Sequence, residues 1–215
     1  MVGEVGEVAE ALQWRSGIRK ADFAEEERHH LGEELSDVWI YATRLCDVCG
    51  VDLARCCDSF IRGEPLVDVR PMSGTTTWGD LQFSTISNAL QLEEQNPRFF
   101  CLKLAAQSGV VAERFAAKLE CPGGLKDWSS KELADFGFSI ASVCVLLASL
   151  AKLLDLDLGG AIASKMDKNE RKYPVDKARG SSAKYTKYMA DTRWQTTLLV
   201  GTGLILGIFL GRQLK

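Results

Sequence analysis

Proline is scarce in this chain, at 5 residues in 215. So few breakers cannot punctuate a protein of many short strands, and the apolar residues recur at a spacing of 3.6 rather than 2. The sequence therefore predicts an all-α fold. It has no basic patch and no interleaving of aromatic with basic residues, and its net charge is -3, which excludes nucleic acid as a partner. No His cluster and no second CxxC accompany the CxxC of Cys46 and Cys49 or the adjacent Cys56 and Cys57. These cysteines read as small buried residues rather than zinc ligands. No signal peptide is expected ahead of the 7 cysteines, an odd number, and the reading is a reducing compartment with free thiols. What is present is ordinary: 46% hydrophobic and 26% charged residues, enough for one or two small domains.

Two acidic pairs carry the chemistry. Glu4 with Glu7 and Glu34 with Asp37 are each spaced i, i+3, so on helices each pair projects from one face. An isolated pair of this kind is ordinarily a solvated face. Here the acids sit within apolar sequence, MVGEVGEVAEALQW and LGEELSDVWIYATRL, and the second pair borders the stripe Leu31, Leu35, Val38 and Tyr41. Four carboxylates gathered by two packed helices repel one another, and a divalent cation is their natural neutraliser. Oxygen-only ligands suit Mg2+, with Mn2+ as the second choice, and such ions commonly arrive with substrate phosphates. The pattern points to a metal-dependent enzyme acting on a phosphorylated small molecule.

The chain also resembles itself. VGEVGEVAEALQW (2–14) lies on AAQSGVVAERFAA (105–117), and after a two-residue adjustment Glu34–Leu53 falls on Ser139–Leu158. Repeat 1 is expected over 1–69 and repeat 2 over 78–188, joined by a linker at 70–77, with 78–100 as a further helix opening repeat 2. In this register Glu4, Glu7, Glu34 and Asp37 become Gln107, Val110, Ser139 and Ser142, so repeat 2 has lost the acids. It keeps instead a basic helix, SKMDKNERKYP (164–174), where Lys165, Asn169 and Lys172 share one face fit for phosphate oxygens. The complementary losses suggest one composite site, with carboxylates from repeat 1 and cations from repeat 2.

From 194 to 212 the chain carries almost no charge, and Gly203, Gly207 and Gly211 fall on one face. The segment is expected to be a transmembrane tail anchor. The preceding domain would face the cytosol, at the mitochondrial outer membrane or the endoplasmic reticulum.

GEVGE, then EELSD, then KMDKNERKYP in this order resemble the MazG-like all-α nucleoside triphosphate pyrophosphatases, and within them the dCTP pyrophosphatase branch. The likeness covers about 1–58 and 80–188. It implies a helical bundle of two tandem repeats forming a pseudo-dimer, with Glu4, Glu7, Glu34 and Asp37 as metal ligands. It also implies Trp14 and Tyr41 at the base, and Lys165, Asn169 and Tyr173 at phosphate or sugar. The implied activity is Mg2+-dependent hydrolysis of dCTP or a modified deoxynucleoside triphosphate to the monophosphate and pyrophosphate, for nucleotide-pool sanitation. Members of the family are usually homo-oligomers of single repeats, so a homo-dimer of the two-repeat chain is expected. Three features depart from the pattern. Met1 stands already inside the first acidic helix, repeat 2 lacks the acids, and the tail is not a family feature. The competing reading is a catalytically inactive, tail-anchored helical adaptor.

Overall fold

The computed structural model describes residues 1–66, 69–70, 96–120 and 127–174. All secondary structure among them is helical: α1 (Val2–Leu12), a 3-10 turn (Lys20–Asp22), α2 (Glu25–Cys49), α3 (Leu53–Arg62), α4 (Pro97–Leu119), α5 (Ser130–Leu153) and α6 (Leu158–Lys172). Apart from Arg70, the expected linker at 70–77 lies outside the described residues. So do most of the helix placed at 78–100 and the tail at 194–212. Residues 97–100 are a correction. They form the first turn of α4, because Asn96 accepts from the Arg98 amide at 3.0 Å and Pro97 at the first position needs no amide partner.

Two compact units divide the chain, Met1–Lys165 and Met166–Lys215. In the first, α1 packs on α2 and α4, while α5 lies against α4, α3 and α2. Enclosure on three sides explains why α5 is apolar nearly all round, with Leu133, Phe136, Ile140, Val143, Cys144, Leu147 and Leu150 all in the core. Among the described residues α5 is the one helix long and apolar enough to cross a membrane, and most of it is buried inside the protein. The apolar stripe of α2 runs through Leu31, Leu35, Val38, Trp39, Ala42 and Cys46. Tyr41, which the sequence pattern places on that stripe, is 48% exposed instead. Cys46, Cys56, Cys57 and Cys144 are buried free thiols, and Cys49 and Cys101 are half-buried.

One set of contacts occurs twice, 105 residues apart. Gly32 on α2 faces Ala161 and Leu156, and Gly137 on α5 faces Cys56 and Val51. Gly50 ends α2 with a left-handed φ of 65°, and Asp155 follows α5 with a φ of 52°. Asp52 accepts from the Arg55 amide to start α3, and Asp157 accepts from the Gly160 amide to start α6. The start of each long helix repeats too. Glu27 accepts from the Ala24 amide at 2.9 Å and Glu132 from the Ser129 amide at 2.8 Å. Glu27 is paired with Arg15, whose guanidinium lies 4.7 Å over Phe23 and donates to the Asp22 carbonyl. Glu132 is paired with Lys118, whose ammonium lies 5.3 Å over Trp128 and donates to the Asp127 carbonyl. In both places a cation clasps the loop between two helices and is held from above by an aromatic ring.

Candidate metal centre

The first acidic pair stands on α1, where Val5, Val8 and Leu12 are buried and turn the helix so that Glu4 is half-buried and Glu7 exposed. The second stands on α2. Leu31, Leu35 and Val38 fasten α2 into the core and carry Glu34 inward with them, to 5% exposure. Packing of α1 on α2 then gathers the acids: one carboxylate oxygen from each of Glu4, Glu7 and Glu34 lies within 4.8 Å of the others. Glu34 Oε2 is buried with no hydrogen-bond partner. Burial, then a hydrogen bond and charge repulsion from Glu7, push the Glu34 carboxyl up to about 7. Burial and the charge of Glu7 raise Glu4 as well.

Asp37, one turn further along α2, is held differently. Lys165 on α6 reaches across and places Nζ 2.5 Å from Asp37 Oδ2. Burial pulls the Lys165 ammonium down, but the hydrogen bond and charge of Asp37, with the charges of Glu34 and Glu33, outweigh it and leave it raised. Lys165 is thus a buried cation at the edge of an acidic cluster, secured by a charge-assisted hydrogen bond.

The residues fit a hard divalent ion. The donors are all carboxylate oxygens, they stand within reach of a common centre, and a nearly buried oxygen has nothing else to bind. Without a cation the cluster costs stability through repulsion, and Lys165 lies at its edge, on Asp37.

The remaining expected residues are placed as follows. Trp14, after the end of α1, is 86% exposed. Trp14 and Tyr41 both lie outside the lining of the cleft that opens beside Glu7. That cleft holds about 410 Å³ and is lined by Glu7, Glu10, Ala11, Arg15, Phe23, Glu27 and His30. Asn169 and Tyr173 belong to the second unit, where Tyr173, 37% exposed, donates its amide to the Asn169 carbonyl at 2.8 Å. The sequence reading missed Arg15, Phe23, Glu27 and His30. The first three have counterparts in Lys118, Trp128 and Glu132, which a self-comparison carried across the loop would have found. His30 stands four residues before Glu34, one turn away on the same helix.

At Ser139 and Ser142 no acids stand. Ser139 donates to the Asp135 carbonyl at 2.8 Å and receives the Arg114 Nε at 3.3 Å, and Arg114 Nη1 lies 3.7 Å from Asp135. An arginine, supplied by α4, thus faces Ser139.

No protein-family model matches the chain, and no solved structure matches it. Among curated proteins it is similar to dCTP pyrophosphatase 1 of Rattus norvegicus, with 39% identity over 90 residues, covering 42% of this chain and 53% of the relative. Against dCTP pyrophosphatase 1 of Homo sapiens the identity is 40% over 91 residues, covering 42% and 54%. Against that of Bos taurus it is 38% over 90 residues. The chain thus spans about half the length of the curated relatives it matches, and over that half the likeness is to dCTP pyrophosphatases.

Proposed function

We propose that this protein is a Mg2+-dependent nucleoside triphosphate pyrophosphatase, acting on dCTP or a related modified deoxynucleoside triphosphate and serving nucleotide-pool sanitation. The observation that carries the reading is Glu34, a nearly buried carboxylate with an unpartnered oxygen set within 4.8 Å of Glu4 and Glu7. A buried carboxylate pressed against two further acids is costly to keep without a ligand, and an adaptor has no use for it. The likeness to dCTP pyrophosphatase 1 supports the choice of substrate.

The reading includes a tandem duplication with one working site. Its support is the twice-made set of glycine contacts, left-handed turns, caps and cation clasps. In this scheme the third helix of each half covers the long helix of the other half. Lys165 from the second half thereby reaches Asp37 in the first. The equivalent place in the second half holds Phe60 and Phe138, rings 4.8 Å apart, and the acids there have become Gln107, Val110, Ser139 and Ser142.

Glu4, Glu7, Glu34 and Asp37 would hold Mg2+, or Mn2+ in its place, whose chemistry when bound is to neutralise phosphate charge and make the attacking water more acidic. The oxygen of that water bonds to the α-phosphorus as the bond to the bridging α–β oxygen breaks, releasing the nucleoside monophosphate and pyrophosphate. Glu10, on the cleft beside Glu7, would take the water's proton. Lys165, poised on Asp37, would offset charge growing on the departing phosphates. Asp37 engages Lys165 through Oδ2 and is assigned to the ion on the sequence motif. Asn169 and Tyr173 are assigned to phosphate or sugar, and Trp14 and Tyr41 to the base, on the sequence motif. On the sequence too, the reading extends to a homo-dimer of the chain and a cytosol-facing domain anchored by 194–212.

The test is pyrophosphate release by the full chain with Mg2+. All ribo- and deoxynucleoside triphosphates and 5-methyl-dCTP would be compared, beside Glu34→Ala. Turnover greatest on deoxycytidine triphosphates and absent from the variant is expected. Silence on every nucleotide, with Mg2+ and with Mn2+, would remove the enzyme reading.

A further inference from the structure

The carboxylate cluster has a nitrogen donor at its edge. His30 Nδ1 lies 3.5 Å from Glu34 Oε1, one turn back along α2, and the same imidazole lines the cleft that contains Glu7. Two donors each about 2.1 Å from one ion, at angles between octahedral and tetrahedral, stand about 3.0 to 3.4 Å apart. The His30–Glu34 spacing is close to that of two ligands sharing a cation. As an ordinary ion pair it would bring little, because His30 is largely in solvent. The chain has 2 histidines, and the other supplies a comparison. His29 repeats the i, i+4 spacing with Glu33, at 3.8 Å, but Glu33 is outside the three-carboxylate group and His29 does not line the cleft.

We propose that His30 is a nitrogen ligand at the rim of the metal site, so that the site prefers Mn2+ and other first-row transition ions to Mg2+. Imidazole suits such ions, whereas Mg2+ demands oxygen donors in near-ideal octahedral geometry and keeps its waters. With Glu4, Glu7 and Glu34 supplying oxygen to either ion, the imidazole adds a nitrogen donor that Mn2+ accepts more readily than Mg2+. The inference rests on the metal reading above and adds to it the identity of the preferred ion.

The experiment titrates the metal-stripped full chain with Mn2+ at about pH 8. Free Mn2+ is followed by electron paramagnetic resonance, Mg2+ affinity by competition, and nitrogen hyperfine coupling to bound Mn2+ by pulsed methods. Wild type, His30→Ala, His29→Ala and Glu34→Ala are compared. Wild type and His29→Ala should show nitrogen coupling and bind Mn2+ about tenfold or more tightly than Mg2+. His30→Ala should lose the coupling and most of that preference, with Mg2+ affinity little changed. Saturable Mn2+ binding that disappears in Glu34→Ala but shows no nitrogen coupling in wild type, or coupling that survives His30→Ala, overturns the assignment to His30 alone. No saturable Mn2+ binding by wild type overturns the metal reading and this inference together.

Discussion

Replacing Glu34 with Gln removes one charge from three carboxylates whose oxygens lie within 4.8 Å, and keeps the shape of the side chain. At that separation a pair of unit charges repels by ~3.5 kcal/mol at an effective dielectric of about 20, and by ~0.9 kcal/mol in bulk water. Glu34 is buried and Glu7 exposed, so each lost pair releases about 1–2 kcal/mol. The new amide brings polar atoms into a site with an orphaned oxygen, which takes back about 1 kcal/mol. The net gain without metal is about 1–3 kcal/mol, a rise in Tm of roughly 3 to 10 °C for a protein of this size. With metal the order reverses. Ligand at about 100 times its Kd adds ~2.7 kcal/mol to the wild type and little to the variant.

The pH dependence gives a second check. The Glu34 carboxyl is pushed up to about 7, so between the usual carboxylate range and that value the folded chain holds a proton that the unfolded chain has lost. Metal-free wild type therefore loses stability as pH rises through this window, and the variant, left with the raised Glu4 alone, should lose less. Thermal melts in chelator and in Mn2+ or Mg2+, across that pH range, measure both effects. A variant less stable than wild type in chelator, or a wild type indifferent to metal, would refute the reasoning.

Other substitutions test the rest of the structure. At Gly32 an added Cβ meets Ala161 at 3.6 Å, so Gly32→Ala should stabilise by up to about 1 kcal/mol through helix propensity. At Gly137 it would stand 2.6 Å from Cys56 Sγ, so Gly137→Ala should destabilise by about 1–3 kcal/mol, and Cys56→Ala added to it should recover part of the loss. Chemical denaturation of the set decides, and equal effects at the two glycines would contradict the packing described. Glu132 is held down to about 2 by its hydrogen bonds with Lys118 and Ser129. Its contribution is present at neutral pH and fades as pH falls from about 4.5 toward about 2, and Glu132→Gln should flatten that acid limb of the denaturation profile. Lys165→Ala should lower kcat by about 10²–10³ while leaving Mn2+ affinity nearly intact; a change confined to KM would assign Lys165 to ground-state binding instead.

The all-helical fold was legible because periodicity, caps and turn residues are local. Gly50 and Ser129 with Glu132 act within a few residues of themselves and set helix ends where they stand, and so does Asn96–Pro97, which the expected helix over 78–100 ran through. The acidic pairs were legible for the same reason, since an i, i+3 spacing is a property of one helix. The sequence could not show how far each acid is buried. The depth of Glu34 follows from the anchoring of Leu31, Leu35 and Val38 in a core that α5 also builds. Tyr41 went astray because helical spacing defines a stripe but not where the neighbouring helices end. The clasps of Arg15 and Lys118 needed the loops closed before a cation, a ring and a capping carboxylate could meet. By itself, then, the sequence determined the all-helical class and which acids share a face. Only the tertiary structure decided that Glu34 loses its water and that Lys165, from a helix more than a hundred residues away, settles on Asp37. Desolvation and long-range charge pairing depend on what packs alongside, and no local pattern records it.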